Sequence, residues 1–235
     1  MSELISPTTG LAVLHLFCKT KQENDEQPDR GTDRQAVIQA VKKIKEQGDQ
    51  VVTAAILGHK ADMSFMLLGN DLWRLRDAQT SLAQSGLEIV DSYVSLTEIS
   101  EYAAGLPEQM RNSRLYPELP PPNKPAFCFY PMSKRRDEQV NWFTLPFEER
   151  LELMHEHGAS GRAFSGRVLQ VITGSTGVDD FEWGVTLFAE HPDDLKEVVY
   201  TMRYDKASAI YADFGPFYTG VVNEPEVVLE HLSVN

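Results

Sequence analysis

Apolar positions along the chain recur in two periods, and the order of those periods is used twice. Residues 11–18 (LAVLHLFC) form an apolar run of strand length. Thr32, with Gln35 three residues on, reads as a capping box opening a helix. In that helix Val37, Ala40, Val41 and Ile44 stand at i, i+3, i+4 and i+7, and Gly48 follows its end. Strands are expected near 51–58 and 62–68. Asn70 then caps a second helix carrying Leu72, Leu75 and Leu82, and a strand near 88–96 closes a β-α-β-β-α-β unit. The second half repeats this order: a strand near 126–133, a helix from Pro146 to His157 that Gly158 ends, and strands near 167–173 and 181–188. A helix from Pro192 follows, with Leu195, Val198, Val199 and Met202 at helical spacing, then a strand over Phe217 to Val222. The expected fold class is α+β. Two ferredoxin-like units join their antiparallel sheets into a dimeric α+β barrel with the helices outside.

The expected organisation is a first half over 1–104, a connector over 105–125 and a second half over 126–235. The connector holds six prolines and reads either as a plain semi-rigid linker or as a wall of a site at the seam. Residues 19–31 (KTKQENDEQPDRG) are polar and read as a mobile loop. At 42% hydrophobic and 24% charged the chain is ordinary for a globular protein. No run approaches the roughly 20 apolar residues of a membrane span. The early apolar run is short and interrupted by His15, with no basic stretch before it, so no signal peptide is expected. Cys18 and Cys128 make no C-x-x-C pair, and a reducing cytoplasm is the expected compartment. A net charge of −13 speaks against nucleic acid and anionic membranes as partners.

Candidate chemistry changes this picture only locally. The six histidines form no H-E-x-x-H or other multidentate pattern. A porphyrin iron needs only one protein imidazole. His155 and His157 lie about 200° apart on a helix, so the two cannot face one site. Taken alone, a helix-terminal His reads as a surface residue or a partner of the helix dipole as well as a ligand. In AFCFYPMSKRR, alternation places Cys128, Tyr130, Met132 and Lys134 on one face, suited to a flat apolar ligand with acidic edges or to an edge strand with an exposed lysine. Lys134-Arg135-Arg136 is the densest basic stretch, an anion site or a solvated strand end. Gln170 is the sole long polar side chain in RVLQVITGS, so it bonds a neighbour or faces a cavity. Trp183 alone reads as core.

FYPMSKRR, NWFTLPFEER, the helix ending HEHG, GRVLQVITGS, DDFEWGVTLF and MRYDKASAIYADFGPFYTG, in this order, resemble the chlorite dismutase family and within it the coproheme decarboxylases. The resemblance is dense over 110–222. In the first half it is mainly topological, with GHKADMSFMLL the best fragment. It implies His157 as axial ligand of the porphyrin iron and Tyr130 as the redox-active tyrosine. It implies Pro131, Met132, Ser133 and Lys134 as the substrate-binding Y-P-M-S-K stretch with Tyr130. Gln170 matches the distal glutamine of one branch, Ser208 a propionate contact and Arg114 the propionate-binding arginine, while Trp142 and Trp183 fall near the pocket. Chlorite dismutases carry a distal arginine where this chain has Gln170, and a neutral amide replaces neither its charge nor its fork of donors. Actinobacterial-type decarboxylases use a distal histidine there instead.

The implied reaction is oxidative decarboxylation of iron-coproporphyrin III (coproheme) to haem b, through a one-vinyl intermediate. Hydrogen peroxide is the implied oxidant, coproheme is both substrate and redox cofactor, and a homopentamer is the implied assembly. Two other readings stand beside it. A haem peroxidase or chlorite-decomposing enzyme of the same family is opposed by Gln170. A non-enzymatic haem carrier or sensor would not need Tyr130.

Overall fold

The computed structural model describes residues 4–21, 31–103 and 105–234. Most of the polar segment 19–31 lies outside them. The first half contributes β1 (Ala12–Lys19), α1 (Arg34–Glu46), β2 (Gln50–Ile56), β3 (Met63–Gly69), α2 (Leu72–Gln84) and β4 (Glu88–Thr97). A helix α3 (Glu108–Leu115) follows in the connector. The second half contributes β5 (Ala126–Lys134), α4 (Phe147–Arg162), β6 (Val168–Gly174), β7 (Trp183–Ala189), α5 (Pro192–Met202), α6 (Lys206–Ala209), β8 (Ala212–Phe214), β9 (Tyr218–Val222) and α7 (Pro225–His231).

The strand order shows the duplication. The first half runs β4-β1-β3-β2, and the second runs β9-β5-β7-β6, the same order of strands within each unit. The antiparallel pairings β2–β9 and β4–β6 join the two, so every strand but β8 belongs to one closed ring. Closure demands that alternate residues point into the ring. Phe127 and Phe129 do so, packing with Val13, Phe17, Val52, Met66, Tyr93, Phe188 and Tyr218. Outside, α1, α2 and α7 cover the first half, burying Val37, Ala40, Val41 and Ile44 of α1 as the periodicity requires. Over the second half, Cys128, Tyr130, Val185 and Leu187 pack with Phe164 and with Leu195 and Val198 of α5.

The helix signals were displaced by single positions. Asp33, not Thr32, caps α1, accepting from Ala36 N at 2.9 Å. Thr32 turns its hydroxyl to the Gly86 carbonyl instead. Asp71, not Asn70, caps α2, while Asn70 accepts from Arg74. In both places an adjacent carboxylate takes the role, and such a cap contributes about 0.5–2 kcal/mol. Leu72 is 40% exposed, whereas Leu75 and Leu82 are buried. Gly158 does not end α4, which continues through it and Gly161 to Arg162. Neither glycine has the positive φ with which glycine terminates a helix. No helix among the described residues is long and apolar enough to cross a membrane.

Candidate active site

The outer face of β5, β7 and β6 forms a floor whose rows follow from register. Cys128, Leu187 and Gln170 align across the three strands; the next row is Tyr130, Val185 and Ile172; the next is Met132, Trp183 and Gly174. Strands lie about 4.8 Å apart and rows about 7 Å apart. Such a floor has the span of a large planar ligand. It is incompletely covered: Ile172 is 43% exposed, and Met132, Gln170 and Trp183 are half-buried.

Above it α4 behaves unlike the other long helices. Its 16 residues include none that is buried. Its main neighbours are α5, α6 and a 3₁₀ turn at Glu101–Ala103 rather than the strands. It is pinned at both ends. Arg150 pairs with Glu101 at 3.1 Å and Phe147 stacks on Tyr102, and just beyond the other end Phe164 enters the core. Near that end the Gln170 amide comes against Gly161.

His157 occupies the middle of α4, half-buried, while His155 is exposed. His157 Nδ1 lies 3.0 Å from Asp205 Oδ2 and 3.3 Å from Ser208 Oγ. Asp205 caps α6, accepting from Ser208 N at 2.9 Å. Burial alone would raise its carboxyl. The hydrogen bond and charge of His157, with the bonds from Ser208, outweigh burial and bring it below the usual range. A carboxylate on Nδ1 sets the tautomer and leaves Nε2 as the nitrogen available to a metal.

Tyr130 is buried on the floor, stacked on Phe217 at 4.4 Å and tilted against Phe214 at 5.6 Å. Burial raises its phenol well above the usual range, so it stays protonated at neutral pH. Lys134 does not extend over the floor. Its ammonium is buried, donates to the Ala207 carbonyl at 2.7 Å and sits 4.3 Å from the Trp142 ring centre. Burial lowers it to about 8 against the raising influence of Asp205 and Glu182. The Ser208 hydroxyl is likewise engaged by His157 and Asp205. Pro131 and Ser133, odd in the alternation, lie on the other face of β5; Ser133 Oγ accepts from Glu182 N. Trp142 is buried against Tyr211. Arg114 is exposed in the last turn of α3 and makes no hydrogen bond or ion pair with the others among the described residues.

Three residues escaped the sequence reading. Asp205 was legible as the cap of D-K-A-S. Arg203 stacks its guanidinium 3.8 Å over Phe214, beside Tyr130, and Glu98 reaches the floor from the end of β4. No local pattern marks either of these two. A separate hollow of about 440 Å³, lined by Thr9, Arg111, Leu115 and Val178, meets the floor only through Glu98 and Gly174.

A family model described as chlorite dismutase matches residues 32–223, most of the chain. The chain belongs to the chlorite dismutase family. A curated family relative, the coproheme decarboxylase of Staphylococcus carnosus, is 46% identical over 187 residues, covering 74% of this chain and 73% of the relative. A putative heme-binding protein of Natronomonas pharaonis is 44% identical over 222 residues; the match covers 87% of this chain but only 36% of that longer protein. Among solved structures, a heme-binding protein of Thermus thermophilus superposes with a TM-score of 0.84 at 33% identity, covering 98% of this chain and 100% of the other. A chlorite dismutase variant of Candidatus Nitrospira defluvii shares the fold at a TM-score of 0.74 and 20% identity, with 97% of each chain covered. The chlorite dismutase fold thus accounts for the ring and its helices, and this chain's own residues furnish the oriented histidine and the half-covered floor.

Proposed function

We propose that the chain is a coproheme decarboxylase, converting two of the four propionates of iron-coproporphyrin III into vinyl groups and yielding haem b and two molecules of carbon dioxide. One observation carries this reading: an imidazole oriented through Nδ1 stands on a helix with no buried residue, over a floor that presents a protonated phenol. The residues fit an iron porphyrin. Ile172, Val185, Met132 and Trp183 would offer an apolar bed, His157 Nε2 would hold the iron, and Arg203 would supply a cation for the carboxylate margin. The family membership and the 46% identity to the Staphylococcus carnosus enzyme support it.

When bound, the iron porphyrin with hydrogen peroxide supplies two oxidising equivalents per propionate. The protein's residues direct them. Asp205 keeps Nδ1–H of His157 donating, so Nε2 would hold the iron. Tyr130 would give up its O–H hydrogen to the first of these oxidising equivalents, and its phenoxyl oxygen would take a hydrogen from the propionate carbon next to the ring, restoring Tyr130. Loss of one electron to the second equivalent, with release of carbon dioxide, would leave the vinyl. Gln170, neutral, accommodates peroxide without the cation that chlorite chemistry uses. Arg203, with Lys134 and Arg114 if they turn toward the ligand, offsets the carboxylate charge. We place the reaction in the cytoplasm, in a homopentamer.

The test is mass analysis of porphyrin after peroxide is added to the coproheme-loaded protein. Wild type is expected to give the one-vinyl species and haem b. Tyr130→Phe, nearly isosteric, is expected to bind coproheme and give neither. Haem b from the mutant at the wild-type rate would remove Tyr130 from the mechanism; oxygen release from chlorite would favour the other chemistry of the family.

A further inference from the structure

Met132, Trp183 and Gly174 share a row of the floor, next to the row of Tyr130. Gly174 stands where β6 alternation aims a side chain at the cleft, and it has none. The place its Cβ would take is filled by the carboxylate of Glu98, which follows β4 in sequence. Trp183 Nε1 donates to Glu98 Oε1 at 3.2 Å and holds it there. A carboxylate therefore lies on the floor itself, at its β6 margin. A positive group lies at the opposite margin, where Arg203 stacks over Phe214 of β8. Gly174 and Phe214 end one row across β6, β7, β5 and β8, three strand spacings or about 14 Å apart.

We propose that Glu98 is a specificity-determining residue that sorts the edges of the porphyrin by charge. The proposal rests on the porphyrin reading above. A propionate directed to the β6 margin meets a fixed negative charge, whereas a vinyl or methyl edge meets the Trp183 indole without penalty. Charged edges are thereby turned to the β5–β8 margin, where Tyr130 and Arg203 stand, and an edge already decarboxylated is accepted at the β6 margin. Coproheme, with carboxylates on more of its perimeter, feels Glu98 more than haem b does. Across the floor, about 10–14 Å, with an effective dielectric between surface and water values, one such repulsion changes binding about two- to tenfold.

The experiment is equilibrium titration of the purified full chain with ferric coproheme and with ferric haem b, followed by absorbance, for wild type, Glu98→Gln and Glu98→Lys. Coproheme affinity is expected to rise about two- to tenfold in Glu98→Gln and further in Glu98→Lys, with haem b changing less than twofold in Glu98→Gln. The coproheme gain is expected to shrink as salt is added. Equal changes for both ligands, or weaker coproheme binding in Glu98→Gln, overturn the proposal. Failure of wild type to bind either porphyrin overturns the underlying reading instead. Gly174→Ala supplies a second approach, because its methyl displaces the carboxylate while leaving the charge on the chain. It is expected to raise the ratio of coproheme to haem b affinity in the same direction, and an unchanged ratio counts against sorting.

Discussion

Among the buried polar residues, His15 stands apart at the centre of the ring. Its Nε2 is hydrogen-bonded to the Thr186 hydroxyl at 3.0 Å across the lumen, its ring lies 4.2 Å from Phe129, and Nδ1 has no partner among the described residues. Burial lowers its pKa from 6.5 to about 3. The fold thus favours neutral imidazole. Its contribution is complete above the unfolded-state value of 6.5 and is lost progressively as pH falls toward 3, a span on the order of 5 kcal/mol. His15→Gln retains a hydrogen-bonding amide but no titration. It should be less stable than wild type at pH 7, and the gap should narrow between pH 6.5 and 4 in urea unfolding. Parallel loss of stability in both proteins would show that His15 does not titrate on unfolding. At this scale strand alternation was readable: Tyr130 and Cys128 fall outside the ring, Phe127 and Phe129 inside. Where Lys134 sends its ammonium was not readable, because the Ala207 carbonyl and Trp142 that hold it are distant in sequence.

The elements were legible where a buried face imposes a period, as in α1 and α5, and less so where none does. Helix α4 buries nothing, so its pattern gave no reason to continue past Gly158; its length is set by Phe164, which ties the far end to the core. Short α6, α7 and β8 fall below the length at which periodicity speaks, and α3 hid inside a proline-rich stretch. Glycine within a helix costs about 1 kcal/mol relative to alanine. A Cβ at Gly158 would meet only the mobile end of Arg162, at 3.3 Å. Gly158→Ala should therefore stabilise the protein by about 0.5–1 kcal/mol in thermal unfolding. A loss of stability would mean that this turn is tighter than its surroundings indicate.

For the molecule as a whole, an acidic chain takes an anionic ligand. With a net charge of −13, coproheme approaches against the mean field, and added salt screens that field over about 10 Å at 0.1 M. Stopped-flow association of coproheme should accelerate a few-fold between low and physiological ionic strength, and haem b less. A rate that falls with salt would mean that the cations beside Tyr130 dominate the approach. Closure of the ring has a different consequence. A closed ring has no edge to extend, and β8, three residues long with Asp213 paired to Arg135, offers little to an incoming strand. Any contact between copies of this chain would therefore run through helix and loop surfaces. The weakest seam is β4–β6, held by two residue pairs, Leu96 with Gly174 and Thr97 with Thr173. Should that seam part, two long unpaired edges would appear together, and heat-induced aggregation should begin there.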